Sequence, residues 1–67
     1  MGNSILKRRA KILEILEKKG EVYVNELSKM FNISEVTIRN DLAVLEKKGL
    51  LVKTRGGAIK RPPVVMI

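Results

Sequence analysis

The stretch that decides the fold is SEVTIRNDLAVLEKKG, residues 34–49. An α-helix advances about 100° per residue, so Leu42 and Leu45 lie within about 40° of Ile38 on a helical projection. These three side chains form one apolar face, which predicts a helix that packs on a core. The opposite face is predicted to be free for a partner and carries Val36, Asn40, Ala43 and Lys47, flanked by Thr37 and Arg39.

The ends of this predicted third helix are marked by residues with capping chemistry. Ser34 can accept a hydrogen bond from a free amide at the helix N-terminus, which places the first helical residue at Glu35. Gly49 follows Lys47 and Lys48, and cations in a last turn ahead of a glycine are typical of a helix C-terminus. The same Lys-Lys-Gly pattern occurs at residues 18–20 and predicts the end of an earlier helix.

Two helices are predicted upstream of residue 34. The first is amphipathic, with Ile5, Ile12 and Leu16 on one face and Leu6 and Leu13 beside it. The segment Val22–Val24 is β-branched and aromatic, but its length predicts only an extended connection.

A short second helix follows this connection. It is predicted to begin near Asn25, whose side chain can cap it, and to bury Leu27, Met30 and Phe31. The run Asn32-Ile33-Ser34 then breaks the helix just before the third one begins.

Downstream of Gly49 the pattern changes to a β-hairpin. Residues 50–54 predict a strand, residues 55–57 a turn with Gly-Gly at its tip, and residues 58–60 a return strand. An isolated hairpin is marginal in water, so it is expected to dock on the helices through Leu50, Val52 or Ile59. Prolines at 62 and 63 end regular structure, and residues 62–67 are expected to begin an interdomain linker.

The order of these elements predicts a mainly α (α+β) fold, a three-helix winged helix-turn-helix with a C-terminal β-hairpin wing. We expect the domain at residues 1–61, the helix-turn-helix at about residues 22–41 and the wing at about residues 50–60. In such a fold the third helix enters the DNA major groove and the wing contacts a flanking groove or the backbone.

Composition excludes most other functions. The chain has 67 residues, so it holds one small domain, and it has neither cysteine nor histidine. A thiol nucleophile, a disulfide scaffold and the commonest metal ligands are therefore absent, and we expect no enzyme activity, no metal and no cofactor. The longest apolar run is far shorter than the roughly 20 residues that cross a bilayer, and no signal peptide precedes the first helix, so we expect no membrane association and a cytoplasmic location.

The positive charge is concentrated at the two ends of the chain. The formal net charge is +7; residues 1–20 carry +4, residues 21–46 carry −3 and residues 47–67 carry +6. Clustered cations favour a polyanion, because binding releases the counterions condensed on phosphates. The sequence has only one Tyr and one Phe, too few for the stacking platforms of single-stranded nucleic-acid binders, so double-stranded DNA is the better partner.

The N-terminal signature resembles that of the DeoR family of bacterial repressors. Arg8, Ile12 and Leu16 stand at four-residue steps and are followed by residues 34–42, residues 45–50 and Gly56-Gly57-Ala58 in the wing. The resemblance covers about residues 5–60. It implies a repressor of a sugar or nucleoside catabolic operon, whose missing C-terminal domain binds a phosphorylated sugar-like effector and assembles a homo-oligomer.

Two positions depart from what the resemblance implies. Family members usually carry Arg where this chain has Asn40 and His where it has Arg55. Asn can pair with both edge atoms of adenine whereas Arg favours guanine, so the resemblance leaves the operator sequence open. Arg55 keeps the wing tip cationic, which suits a narrow minor groove or a phosphate.

The candidate DNA-binding residues lie at the start of helix 2, on helix 3 and in the wing. Several have a structural alternative: Thr37 can satisfy a helix amide, Arg39 can pair with Glu35, and the two glycines can serve the turn. Asp41, beside the apolar face, is expected to form a salt bridge with a basic neighbour. The full set is Tyr23, Asn25, Ser34, Val36, Thr37, Arg39, Asn40, Lys53, Arg55, Gly56 and Gly57.

Two other classes of function compete with DNA binding. One is a winged-helix module that binds an acidic protein partner; apolar anchors on the free face of helix 3 would favour it. The other is a membrane-surface peptide built on the basic first helix, although Glu14 and Glu17 interrupt the polar face of that helix.

Overall fold

A computed structural model describes residues 4–61. The elements are α1 (Ser4–Lys19), β1 (Glu21–Tyr23), α2 (Val24–Phe31), α3 (Glu35–Lys47), β2 (Leu51–Lys53) and β3 (Gly57–Lys60). The three strands form a small antiparallel sheet in the order β1-β3-β2. The predicted linker at residues 62–67 lies outside the described residues.

Helix α1 follows the predicted pattern and ends where expected. Ile12 and Leu16 are buried, whereas Ile5 and Leu6, a turn or more away from the core, are exposed. Gly20 has φ of 83° and its amide donates to the carbonyl of Leu16 at 2.7 Å. A left-handed residue at this position ends the helix at low cost only because it is glycine.

The prediction that Asn25 caps α2 is wrong. The helix begins one residue earlier, at Val24, and no side chain caps its N-terminus. Instead, the Val24 amide donates to the carbonyl of Gly56 in the wing, at 2.8 Å. A backbone carbonyl from a distant segment thus satisfies one amide at the helix N-terminus, where no side chain acts as a cap.

Burial on α2 also differs from the prediction in one residue. Leu27 is buried and Phe31 packs partly against the core, but Met30 is 56 % exposed. Val24 takes the second buried position of the helix. Val24, Leu27 and Phe31 share one face of the helix, and at about 100° per residue Met30 lies about 60° beyond Leu27, outside that face.

A tight turn joins α2 to α3. Asn32 adopts the left-handed region, with φ of 55° and ψ of 47°, and the amide of Ile33 donates back to the carbonyl of Ser28. This is a Schellman-type helix end with asparagine in place of the usual glycine. The predicted break at residues 32–34 is confirmed.

Helix α3 begins and ends as predicted. The Ser34 side chain accepts a hydrogen bond from the Thr37 amide at 3.2 Å, and Gly49 has φ of 79°. Ile38, Leu42 and Leu45 are buried, which confirms the predicted apolar face.

The sheet has three strands, one more than predicted. Residues 21–23 were expected to be only an extended connection, but they pair with β3, with Val22 opposite Ala58 and Tyr23 opposite Gly57. Three residues cannot hold a strand alone; β1 forms because β3 supplies its hydrogen-bond partners.

The wing docks through residues other than those predicted. Leu51 and Ala58 are buried, whereas Leu50, Val52 and Ile59 are exposed. Side chains alternate between the faces of a strand, and the pairing of Val52 with Ile59 places both on the outer face. The predicted position of the hairpin is correct, but the face predicted to pack on the helices is the exposed one.

Candidate nucleic-acid interface

The outward face of α3 presents the residue types that contact DNA bases. Asn40 and Arg39 are exposed, Thr37 is half-buried, and Val36 is 65 % exposed. The opposite face of the helix is held in the core by Ile38, so the polar face is the one left accessible. An α-helix fits the major groove, and Asn and Arg side chains can each pair with two edge atoms of a base.

Two of the predicted residues have hydrogen bonds within the helix. The hydroxyls of Ser34 and Thr37 lie 3.0 Å apart, and Ser34 also accepts from the Thr37 amide. The alternative for Thr37, that its side chain satisfies a helix N-terminal amide, is not what the structure shows: Ser34 is the acceptor, and the amide that it satisfies is that of Thr37. Both side chains remain near the surface at the start of α3.

The pair predicted between Arg39 and Glu35 is present. Arg39 Nη2 lies 3.3 Å from Glu35 Oε1, and both side chains are about half exposed, at 57 % and 46 %. Exposed pairs of this kind contribute little to stability. A phosphate or a base edge can therefore replace Glu35 as the partner of Arg39 at small cost.

The tip of the wing lies against the start of α2. The hydrogen bond from the Val24 amide to the Gly56 carbonyl joins them, so Asn25 on α2 and Arg55 on the wing belong to one continuous surface. Both side chains are exposed. The structure thus brings together two groups of candidates that are 30 residues apart in the sequence.

Lys53 is exposed on the wing, and its backbone is attached to α3. Its amide donates to Glu46 Oε2 at 2.9 Å, which connects β2 to the last turns of α3. The Lys53 backbone is thereby held beside the last turns of α3.

Two other candidates lie in surroundings that the sequence did not indicate. The neighbouring Glu21 carboxylate raises the pKa of Tyr23, and burial and Glu26 add to the effect. Gly57 is buried in β3, and a Cβ built on it would lie 1.9 Å from the carbonyl oxygen of Val22. Neither Gly56 nor Gly57 has a positive φ, so close approach of β1, not turn geometry, explains why residue 57 is glycine.

The sequence analysis missed how α1 is joined to α3. Asp41 is 1 % exposed and accepts from Arg8 Nε at 2.5 Å, from Arg8 Nη2 at 3.1 Å and from Arg9 Nε at 2.9 Å. A basic partner for Asp41 was expected, but not which one. The signal was Arg8 itself: it shares the four-residue spacing of Ile12 and Leu16, and a charged residue on a buried stripe requires a buried partner.

The charges of this group set the ionisation of Asp41. Burial alone would raise the pKa of the carboxyl, but the hydrogen bonds and charges of Arg8 and Arg9 outweigh burial and lower it. The Asp41 carboxylate in turn raises the pKa of Arg8. Asp41 and Arg8 are therefore both ionised at neutral pH.

The remaining cations differ in whether an acidic side chain pairs with them. Within residues 4–61, Lys60 pairs with Glu17, and Lys11 and Lys18 pair with Glu14. Over the same residues, no acidic partner is found for the wing cations Lys53 and Arg55. The excess charge predicted for the C-terminal third is thus largely available to an anion.

Searches for other kinds of site found none in the described part of the chain. No group of three or more acidic residues there could hold a metal ion. None of the helices in residues 4–61 is long and apolar enough to span a membrane.

Three helices, a tight turn before the third and a basic wing define a winged helix-turn-helix domain, a class that binds double-stranded DNA. Comparison with protein families agrees: residues 8–61 match the DeoR-like helix-turn-helix domain. The chain belongs to this family.

Curated relatives are bacterial transcriptional regulators. The chain is 52 % identical over 52 residues to the "Putative aga operon transcriptional repressor" of Escherichia coli O157:H7, covering 78 % of this chain and 19 % of that protein. It is 45 % identical over 51 residues to the "Lactose phosphotransferase system repressor" of Staphylococcus epidermidis, covering 76 % and 20 %. It is 45 % identical over 53 residues to the "Putative galactitol utilization operon repressor" of E. coli K12, covering 79 % and 47 %.

These relatives are much longer than this chain. The chain spans about a fifth of the length of the first two and about half of the third. No solved structure matches the chain significantly.

Proposed function

We propose that the chain is the sequence-specific, double-stranded-DNA-binding domain of a bacterial transcriptional repressor that controls a sugar or nucleoside catabolic operon. The observation that carries this is the outward face of α3, where Arg39 and Asn40 are exposed while Ile38 and Leu42 hold the helix in the core. Membership of the DeoR-like family and the repressor names of the relatives support it.

Two groups of contacts are proposed. Side chains on α3 recognise base edges, with Asn40 suited to adenine and Arg39 to guanine or a phosphate. The wing and the start of α2 contact phosphates through Arg55, Lys53 and the neighbourhood of Asn25. The protein-interaction alternative has less support, because Val36 is the one large apolar side chain strongly exposed on α3 within the described residues.

The test begins with a duplex selected by the chain from a random-sequence library at about 50 mM salt. Arg39→Ala removes one proposed base or phosphate contact without disturbing the core, because the side chain is exposed. Affinity for the selected duplex should fall by about tenfold or more, measured by fluorescence anisotropy against the unchanged chain.

Lys18→Ala is the matched control. It also removes one exposed cation, but from the last turn of α1, where the side chain is 75 % exposed and only 3.9 Å from Glu14. We expect it to leave affinity within about twofold. Equal effects of the two substitutions, or no effect of Arg39→Ala, would reject a base-reading role for α3.

The proposal for the whole protein is broader. We expect a homo-oligomer assembled by a further C-terminal domain that binds a phosphorylated sugar-like effector, acting in the cytoplasm without enzymatic activity. The lengths of the relatives support a further domain, since this chain corresponds to about a fifth of two of them. The lactose and galactitol systems named for two relatives support a sugar-linked effector.

A further inference from the structure

The ion group between α1 and α3 has a more closely defined geometry than a single salt bridge. We call Arg8, Arg9 and Asp41 the Arg–Asp group. Asp41 accepts three hydrogen bonds that engage both of its carboxylate oxygens, and Arg8 supplies two of them through different nitrogens. The Arg8 and Arg9 side chains are themselves only 14 % and 24 % exposed. The group is therefore both desolvated and geometrically defined.

The position of Asp41 on α3 places this group beside the face proposed to meet DNA. Advancing about 100° per residue, Asp41 lies about 60° to one side of the buried Ile38 and about 40° from Thr37. Asn40 precedes Asp41 directly in the sequence, about 100° around the helix. The hydrogen bonds to the Asp41 carboxylate therefore constrain the side of α3 that lies between its buried face and its exposed face.

Apolar packing sets which side of α3 is buried, but it is the less directional constraint on the rotation of the helix about its axis. Ile38, Leu42 and Leu45 share one buried face, and hydrophobic burial is itself non-directional. A planar guanidinium that donates to both oxygens of a carboxylate is directional and resists such a roll. In the described residues, the Arg–Asp group is the charged connection between α1 and α3.

The consequence for recognition follows from the size of a helix. With side chains, an α-helix has a radius of about 6 Å, so a roll of about 20° moves a surface atom by about 2 Å. Base-edge hydrogen bonds tolerate far less than this displacement. Phosphate contacts made by long cations from other elements tolerate more.

We propose that Arg8, Arg9 and Asp41 are positioning residues that set the rotation of α3 and thereby the sequence specificity of the domain, without touching DNA. The proposal rests on the function proposed above. It predicts that damage to the group lowers discrimination between sequences more than it lowers affinity for DNA in general.

Arg8→Lys is the primary test. It keeps the positive charge of Arg8 but cannot donate to both Asp41 oxygens in one plane. The ratio of affinity for the selected duplex to affinity for a scrambled duplex of equal length and composition should fall about tenfold. Asp41→Asn, measured in an osmolyte that keeps each variant folded by circular dichroism, should lower the same ratio.

Glu17→Gln is the matched control for these variants. It breaks the pair with Lys60, which also joins α1 to another element but is largely exposed. The affinity ratio should be unchanged. If Glu17→Gln lowers the affinity ratio as much as Arg8→Lys does, the proposal is wrong, because any weakening of the fold would then be enough to lower that ratio.

Arg8→Met separates positioning from direct contact. If Arg8 only positions α3, the slope of log affinity for the scrambled duplex against log salt concentration stays the same. A slope shallower by about 0.9 would show that Arg8 neutralises a phosphate, and the proposal would be wrong.

The two proposals fail in different ways. If the unchanged chain selects no sequence from the library, the proposed function fails and the positioning role with it. If the chain selects a sequence but Arg8→Lys and Asp41→Asn keep the affinity ratio, only the positioning role is refuted.

Discussion

Gly57 shows how one residue without a side chain can hold a small sheet together. A Cβ at this position would lie 1.9 Å from the Val22 carbonyl oxygen and 2.8 Å from the Tyr23 Cα, both of them backbone atoms of β1. Such atoms cannot move aside as the end of a flexible side chain can. The close contact between β1 and β3 therefore requires glycine.

We expect Gly57→Ala to lower the free energy of unfolding by about 3 kcal/mol, because β1 must separate from β3 to admit the methyl group. Urea denaturation followed by circular dichroism measures the loss. Gly56→Ala is the control: nothing lies within 4 Å of its Cβ and its φ is not positive. It should change stability by no more than about 0.5 kcal/mol, and similar losses for both would contradict the contact described.

Asp41 gives the domain a defined dependence on acid. Its pKa is lower in the folded chain than the unfolded value of about 3.9, because Arg8 and Arg9 outweigh the effect of burial. A carboxylate of this kind stabilises the fold at every pH above the unfolded pKa. That contribution is lost as pH falls through the folded pKa.

Urea unfolding at a series of pH values tests this expectation. The unchanged chain should lose stability below about pH 4. Asp41→Asn should be about 3 kcal/mol less stable at neutral pH, since it leaves two buried cations without their anion. The two stability curves should converge as pH falls, and curves that stay parallel down to about pH 2 would exclude Asp41 as the group responsible.

Among the elements, the wing is expected to make the clearest separate contribution to DNA binding. Arg55 and Gly56 form its exposed tip, which the Val24 amide holds against α2. Fixing the tip in this way lowers the entropy lost when Arg55 meets a phosphate. Residues on α3 should account for discrimination between sequences, and the wing for general affinity.

Arg55→Gln should therefore weaken binding to the selected and the scrambled duplex alike. Its salt dependence, log affinity against log salt concentration, should become shallower by about 0.9, the amount for one phosphate contact. Lys19→Gln, which removes an exposed cation from the end of α1, should leave the slope unchanged. An effect of Arg55→Gln confined to the selected duplex would instead indicate base recognition by the wing.

At the scale of the whole molecule, the charge distribution leaves wing cations available to DNA, and the small size limits one domain to a single half-site. Within residues 4–61, the wing cations Lys53 and Arg55 have no salt-bridge partner, whereas four cations of α1 pair with Asp41 or Glu14: Arg8, Arg9, Lys11 and Lys18. One such domain contacts a single half-site, so its affinity is limited. The proposed oligomer would overcome this limit by binding two half-sites at once.

Two copies joined by a flexible linker test that idea. On a duplex with two inverted copies of the selected half-site, one helical turn apart, the joined protein should bind about 100-fold more tightly than the single chain. Shifting the half-sites by about half a helical turn should remove most of the gain. An equal gain at both spacings would mean that the domains act without a fixed mutual geometry.

Much of the fold follows from local chemistry along the chain. The ends of α1 and α3 depend on Gly20, Ser34 and Gly49, and each acts on amides or carbonyls within its own helix. The apolar face of α3 follows from a spacing of three and four residues. The same reasoning identified the exposed residues of α3, because whatever a helix does not bury it presents to solvent.

Neighbours distant in sequence decided the rest. Residues 21–23 become a strand only because β3 pairs with them, and α2 begins at Val24 because Gly56 accepts its amide hydrogen. Asp41 acquires its partners across 33 and 32 positions. Periodicity and capping describe interactions within a few residues, whereas these contacts exist only after the chain has folded and brought the partner groups within hydrogen-bonding distance.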